Sequence, residues 1–125
     1  MIRDLSPRYV GALRNATPIP DIDVKVWAVI GGTPDAKLHS SYNVTSLTDN
    51  AVGDFTLTFQ QAFVNASNYA VLGMFGNVTA GDSRGQIFVR LGSLPTSTSC
   101  RTININASTI AFDADPTMIF CVGWW

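Results

Sequence analysis

An alternating run of apolar and polar residues lies near the middle of the chain. Phe55, Leu57 and Phe59 share one parity, and Thr or Gln occupies the positions between and after them. Because successive side chains of a β-strand point to opposite faces, this period predicts a strand with one face on a core and one in water. The preceding segment 48–54, TDNAVGD, supplies the Asn, Asp and Gly residues that tolerate tight chain reversals. The pattern therefore predicts an antiparallel hairpin with a partner strand over 41–47.

The composition favours β structure along the rest of the chain. All nine acidic residues are Asp and none is Glu, while Thr, Ser and Asn are abundant. Glu favours helices and Thr favours strands, so we expect very little helix. A chain of 125 residues is sufficient for one domain, and we predict an antiparallel β-sandwich, jelly-roll-like, with seven to eight strands. The predicted strands are 24–30, 36–47, 55–61, 69–75, 86–92, 102–106, 110–113 and 118–125.

The first 23 residues differ in character from the rest of the chain. They lack a sustained period and contain three prolines, so we interpret 1–23 as an extended N-terminal arm and 24–125 as the sandwich domain. Every basic residue of this arm is Arg, which tolerates burial in an interface better than Lys. The residues predicted to anchor the arm on another protein are Ile2, Arg3, Arg8, Tyr9 and Arg14.

Charge and hydropathy exclude several classes of partner. Charged residues make up 14% of the chain and the net charge is −1, so the basic surface needed for nucleic-acid binding is absent. No apolar run approaches the roughly 18 residues that span a bilayer. The first residues do not begin a secretory signal, so we expect a soluble protein made in the cytosol. Cys100 and Cys121 are then expected to be reduced core residues.

The residues that could carry catalysis are few. His39 is the single histidine, and neither cysteine has metal-ligand spacing to a partner. The Asp pairs at 21–23 and 113–115 are typical of turns and strand ends rather than of a calcium loop. We therefore predict no catalytic residue, no metal and no cofactor, and we expect a protein that is not an enzyme.

The C-terminal segment 117–125 is almost entirely apolar, which predicts a strand covered on both faces. The whole chain is 46% hydrophobic with few charges, so we expect a neighbouring subunit to cover some of its apolar surface. Tryptophan is enriched at the centres of interfaces. We accordingly predict that Trp124 and Trp125 touch another subunit.

Two loops, 76–85 and 93–99, are long enough to carry a binding function, because loops on a rigid β scaffold often bind ligands. Their small polar residues are equally typical of solvated connections. If the first loop does contact a ligand, the residues that we expect to do so are Asn77, Thr79, Asp82 and Arg84.

Several uncommon residues occur in an order that resembles a small β domain of bacteriophage virion proteins, one that often sits at the tip of tail fibres. The resemblance covers about residues 25 to 72. The chain departs from the pattern at 28–30, Ala-Val-Ile, where a polar residue, a large apolar residue and another polar residue are expected. This departure predicts a first strand buried on both faces. The matching order is Trp27, Gly31-Gly32-Thr33, the segment 41–50, the segment 53–59, and Asn68-Tyr69-Ala70-Val71.

The resemblance implies a homotrimer in a virion, assembled in the cytoplasm of a host bacterium. A tail-fibre tip is usually carried on a long shaft, and only a short arm precedes this domain. We therefore expect a capsid decoration protein, of the cement or head-fibre kind, whose arm binds the major capsid protein. The alternative is a receptor-binding tip whose loops contact glycan on the host surface and whose arm binds a tail or baseplate protein. A polysaccharide depolymerase is disfavoured, because no constellation of paired carboxylates is evident.

Overall fold

A computed structural model describes residues 22–31, 35–75, 85–106 and 108–125. These ranges contain β-strands and one single-turn 3-10 helix, Ala66–Asn68, and no α-helix, which confirms the predicted all-β class. The predicted arm lies outside the described residues, apart from its last two. The strands are β1 (Asp23–Gly31), β2 (Lys37–Tyr42), β3 (Val44–Ala51), β4 (Asp54–Phe59), β5 (Tyr69–Phe75), β6 (Gly85–Val89), β7 (Ser99–Asn106) and β8 (Thr117–Gly123).

The strands form two four-stranded antiparallel sheets packed as a sandwich. The first sheet has the order β2-β1-β8-β5 and the second has the order β3-β4-β7-β6. The chain passes between the sheets after β2, β4, β5 and β7. The pairing is nested, because β1 and β8 form the centre of the first sheet while β4 and β7 form the centre of the second. This arrangement confirms the predicted jelly-roll-like sandwich.

The predicted hairpin is present as β3 and β4. Leu47 pairs with Leu57 on the core side, and Ser46 pairs with Thr58 on the outer side. The turn between the strands places Gly53 at a φ of 65°, in the left-handed region that glycine tolerates. A Cβ atom at Gly53 would also collide with the backbone carbonyl of Phe112, so this position requires glycine for two reasons.

The single strand predicted over 36–47 is wrong, because the chain breaks at Asn43. Asn43 has a φ of 58° and separates β2, in the first sheet, from β3, in the second. Its side chain stabilises the break, since Oδ1 accepts a hydrogen bond from the Gln61 backbone N–H at 2.6 Å and Nδ2 donates to the Gln61 carbonyl at 3.1 Å. Asn adopts this left-handed conformation more readily than most residues.

The strand predicted over 110–113 is also wrong. One isolated bridge joins Ala111 to Ile105, and the segment otherwise closes over the β3–β4 turn. The Asp113 Oδ1 atom accepts a hydrogen bond from the Gly53 backbone N–H at 2.7 Å, while the Phe112 N–H donates to the Asn104 carbonyl at 3.2 Å. The backbone and side-chain groups of this segment therefore cap the turn instead of extending a sheet.

The core lies between the inner faces of the two sheets. Every second residue of each central strand points into the core, and these residues are at most 5% exposed. The outward residues of β1 and β8 are half-buried rather than fully covered, so the predicted burial of both faces is wrong for one chain alone. The buried cluster comprises Val26, Ala28, Ile30, Phe55, Leu57, Phe59, Phe63, Cys100, Ile119 and Cys121.

Aromatic rings close one end of the sandwich. The rings of Phe63 and Tyr69 stack with centroids 4.2 Å apart, and Phe59 meets both rings edge-on at 5.6 Å. The Tyr69 hydroxyl lies 2.7 Å from the Thr96 carbonyl oxygen, to which it donates a hydrogen bond. Burial raises the pKa of Tyr69, because the phenolate would be poorly solvated there. Tyr69 therefore fastens the 94–99 loop to the end of the core.

Candidate interaction surfaces

The structure describes only some of the residues that the sequence selects as a site. The arm residues Ile2, Arg3, Arg8, Tyr9 and Arg14 lie outside the described residues, and so do the loop residues Asn77, Thr79, Asp82 and Arg84. The second candidate loop, 93–99, is described and is hydrogen-bonded within itself: the Thr96 hydroxyl accepts from the backbone N–H groups of Thr98 and Ser99 at 3.2 and 3.0 Å. This loop is a folded connection.

The two terminal tryptophans follow β8 instead of lying within it. The Trp125 ring packs 5.1 Å from the Phe63 ring, and the Lys25 Nζ atom lies 5.6 Å from the Trp125 centroid. The backbone N–H of Trp124 donates to the backbone carbonyl of Asn68 at 3.2 Å. Contacts within the chain thus hold this segment in place, and Trp125 remains 36% exposed. Their contact with another subunit stays a prediction.

The outer face of the first sheet is apolar across all four strands. Strand register places Trp27 of β1 between Tyr42 of β2 and Phe120 of β8, and Phe120 in turn pairs with Leu72 of β5. A second row of paired residues, Val29, Met118 and Met74, runs beside the first, and its position in β2 is polar. We call the apolar residues of these rows, with their neighbours in β5 and β8, the outer apolar face: Tyr42, Trp27, Phe120, Leu72, Val29, Met118, Met74, Val122 and Ala70.

The edges of this face are the most accessible part of it. Leu72 and Met74 on the edge strand β5 are 55% and 56% exposed, and Tyr42 on the opposite edge is 54% exposed. The central residues are half-buried by one another. None of these nine residues is charged, and Lys25 precedes Trp27 on the outward side of β1 at the border of the face. Exposed apolar surfaces that span several residues are typical of interaction sites, so this face is a candidate for one.

The outer face of the second sheet has a different character. Over β3 and β4 it carries Ser46, Thr48, Thr56 and Thr58, in agreement with the water-facing side predicted from the alternating run. Arg101 of β7 lies next to Thr56. The outer face of the second sheet is therefore polar over β3 and β4, whereas over β6 and β7 it carries the apolar residues Phe88, Ile103 and Ile105. The outer face of the first sheet differs in being apolar across all four of its strands.

A charge cluster lies at the start of β4, around Asp54. The Asp54 carboxylate, 3% exposed, accepts hydrogen bonds from Arg101 Nε at 2.7 Å and Nη2 at 2.9 Å, from Arg90 Nε at 3.1 Å, and from Asn50 Nδ2 at 3.3 Å. The hydrogen bond from Arg101 is the main cause that holds the pKa of Asp54 below its ordinary value, against the opposing effect of burial. Both carboxylate oxygens are fully engaged, so the cluster ties β4 to β7 and is neither a free acid nor a metal ligand.

An open polar groove of about 610 Å³ lies where the chain passes from β2 to β3. Asn43 is engaged by the backbone of Gln61 through its side-chain amide. Tyr42 is exposed, and the side chains of Gln60 and Gln61 point to solvent as amides that can both donate and accept hydrogen bonds. The lining residues are Ser41, Tyr42, Asn43, Val44, Gln60 and Gln61.

The remaining candidate groups do not assemble a chemical site. His39 Nε2 lies 3.5 Å from Asp115 Oδ1, and both side chains are about half exposed. In the part of the chain that the structure describes, no three His, Cys or acidic side chains are grouped so as to hold a metal ion. No helix in the described ranges has the length and apolar character needed to cross a membrane. Cys100 and Cys121 are both buried, as expected for core cysteines.

Comparison with known proteins returned no relative: no family model, no curated protein and no solved structure matches the chain. The surfaces of the sandwich and the resemblance seen in the sequence are therefore the grounds on which a function can be proposed. The sequence predicted apolar residues on both sides of β1 and β8, but not the continuation of that surface across β2 and β5. The sequence does carry a signal for the outer apolar face. Apolar residues occupy both the inward and the outward positions of β1, β5 and β8, whereas β4 alternates between apolar and polar residues.

The charge cluster predicts how stability depends on pH. Because the pKa of Asp54 is lowered in the folded chain, its contribution is present above the unfolded-state value, about 3.9, and is lost as the pH falls through the folded value. We expect Asp54→Asn to lower the free energy of unfolding by about 2 kcal/mol at pH 7. The difference from the unmodified chain should shrink below about pH 4, measured by urea unfolding.

The exposed carboxylate of Asp35 provides the matched control. Asp35→Asn should leave the unfolding free energy within about 0.5 kcal/mol of the original at every pH. If the loss caused by Asp54→Asn were the same at pH 3 and pH 7, the assignment of the pH dependence to this carboxylate would be wrong.

Proposed function

We propose that the protein is a structural component of a bacteriophage particle, a homotrimeric capsid decoration protein of the cement or head-fibre kind that docks through its N-terminal arm. The outer apolar face of the first sheet is the observation that carries this proposal. The face supports self-association, and the resemblance over residues 25–72 supports the virion setting and the number of three subunits.

The outer apolar face favours a second copy of the chain as its occupant. It spans four strands, which is wider than one extended segment can cover, since adjacent strands lie about 4.8 Å apart. Its nine residues carry no charge, and the charge of Lys25 lies at the border of the face in β1, so the centre of the face can meet a second copy through apolar contacts. Burying the half-exposed Leu72 and Met74 side chains would each contribute about 1 kcal/mol. A low charged fraction, 14%, is consistent with a surface shared between like subunits.

The N-terminal arm suits attachment to a larger assembly. The 21 residues before Ile22 can reach at most about 75 Å if extended, which allows one subunit to contact a neighbouring capsomer. Arg3, Arg8 and Arg14 can form bidentate hydrogen bonds with carboxylates on a capsid surface. Three arms from one trimer then bind together, and this multivalency strengthens an interaction that is weak for a single arm.

Self-association through this face predicts the effect of charged substitutions. The double variant Leu72→Lys, Met74→Lys places two ammonium groups where apolar contact is expected, so the complex should dissociate to single chains of 13.5 kDa. Sedimentation velocity measures the change. We expect the dissociation constant to rise at least about 100-fold, because each buried ammonium group costs several kcal/mol.

The control adds the same two charges at other exposed apolar residues, Leu91 and Leu94. They are 91% and 80% exposed, and both lie in the connection between β6 and β7, away from the outer apolar face. Leu91→Lys, Leu94→Lys should leave the association unchanged. Loss of association in this control but not in the β5 variant would overturn the assignment of the face.

The capsid role is tested by deleting residues 1–20. On our proposal the truncated chain still associates with itself but no longer binds capsids that lack the protein, whereas the full chain restores the decoration. Electron microscopy of particles mixed with each chain gives the occupancy. Decoration that persists at full occupancy without the arm would contradict docking through the arm.

A second candidate function, receptor binding at a fibre tip, is favoured by the groove beside Tyr42. An exposed aromatic ring next to free amides suits sugar recognition, where a ring contacts the apolar face of the sugar and amides bind its hydroxyl groups. On this alternative, purified protein binds host cells and Tyr42→Ala reduces the binding about tenfold or more. Equal cell binding by both chains, or none by either, would exclude the groove as a receptor site.

A further inference from the structure

The two cysteines face each other across the sandwich. Cys100 lies on β7 of the second sheet and Cys121 lies on β8 of the first, and their Sγ atoms are 3.8 Å apart. Both side chains are at most 2% exposed. At this separation the sulfur atoms are in van der Waals contact, and a disulfide bond of about 2.05 Å requires an approach of less than about 2 Å.

A second contact shows that this juxtaposition is part of a regular register between β7 and β8. Asn104 Nδ2 donates to Thr117 Oγ1 at 3.0 Å, and both residues are fully buried. Asn104 lies four positions after Cys100, and Thr117 lies four positions before Cys121. The two strands thus run antiparallel over one another with matched spacing, so the cysteines are held opposite each other by the fold itself.

We infer that Cys100 and Cys121 form a disulfide-forming site, reduced in the cytosol and closed when the chain meets an oxidising thiol–disulfide buffer. Cytosolic thiol buffers keep such pairs reduced, and extracellular conditions favour the bond. The inference does not depend on the proposed capsid role, because both sulfur atoms belong to one chain. It is also distinct from self-association, since neither cysteine lies on the outer apolar face.

The reaction exchanges one disulfide for another. One cysteine thiolate attacks a sulfur of a small disulfide such as oxidised glutathione, forming a mixed disulfide and releasing one glutathione thiolate. The thiolate of the second cysteine then attacks the protein sulfur of that mixed disulfide, forms the Cys100–Cys121 bond and expels the second glutathione. Two electrons pass from the cysteines to the oxidant, and the two protons go to the released thiols.

Burial determines when this exchange occurs. The fold shields both thiols from solvent, and hydrogen bonding to Cys100 together with burial raises the pKa of Cys121, so attack on an oxidant is slow in the closed sandwich. The bond is therefore expected to form during folding or through transient opening. Once formed, it joins the two sheets and stabilises the sandwich by restricting the unfolded chain between 100 and 121.

The unmodified full chain provides the test. It is unfolded, then refolded either with a reductant or with a mixture of oxidised and reduced glutathione, and each product is examined by intact-mass spectrometry and by thiol titration in denaturant. The expected oxidised product is a single chain lighter by about 2 Da with no free thiol. Its thermal midpoint should exceed that of the reduced chain by about 10 °C.

The single variants Cys100→Ala and Cys121→Ala serve as controls. Each should lack the mass loss, and its thermal midpoint should be the same with oxidant as with reductant. The inference would be overturned if the unmodified chain refolded with both thiols free, accumulated only glutathione adducts or cross-linked dimers, or became less stable when its own two sulfurs were joined.

Discussion

The contact between the central strands of the two sheets positions every other feature of the molecule. The inward-pointing residues of β1 and β8 pack against the inward-pointing residues of β4 and β7. Together they form the buried cluster that includes Ile30, Leu57 and Ile119. A slip of one residue in any of these strands would turn its core residues outward. The buried Asn104–Thr117 hydrogen bond adds a directional contact between the sheets. The core therefore determines which side chains remain on the outside.

The outer apolar face is a consequence of this arrangement. In β4 the residues that point away from the core are Thr, and water solvates them. In β1, β5 and β8 the outward-pointing residues are mostly Trp, Val, Phe, Leu and Met. One chain can use only one face of the first sheet for its own core, so the second apolar face has to be covered by something else or remain unfavourably hydrated. The self-association that we propose would cover this face with copies of the same chain and remove that unfavourable hydration.

The sequence was sufficient for the fold class and for the hairpin, because period-two alternation and Asn-, Asp- and Gly-rich turns are local signals. It was insufficient at Asn43, since a polar residue with a left-handed backbone sits in a position where an ordinary strand would also be polar. The segment 110–113 has strand-like residues, yet its groups are used to cap the β3–β4 turn, a contact distant in sequence. The outer apolar face depends on the register of four strands, which no single segment encodes.

The molar mass of the unmodified chain at sedimentation equilibrium tests the central claim most directly. The chain has a mass of 13.5 kDa, and a trimer built through the outer apolar face would give about three times that value at micromolar concentration, where a stable assembly is populated. We expect the trimer mass to persist on dilution through this range. A mass of one chain at every concentration up to the millimolar range would contradict self-association, because the outer apolar face would then be exposed to water in the native protein.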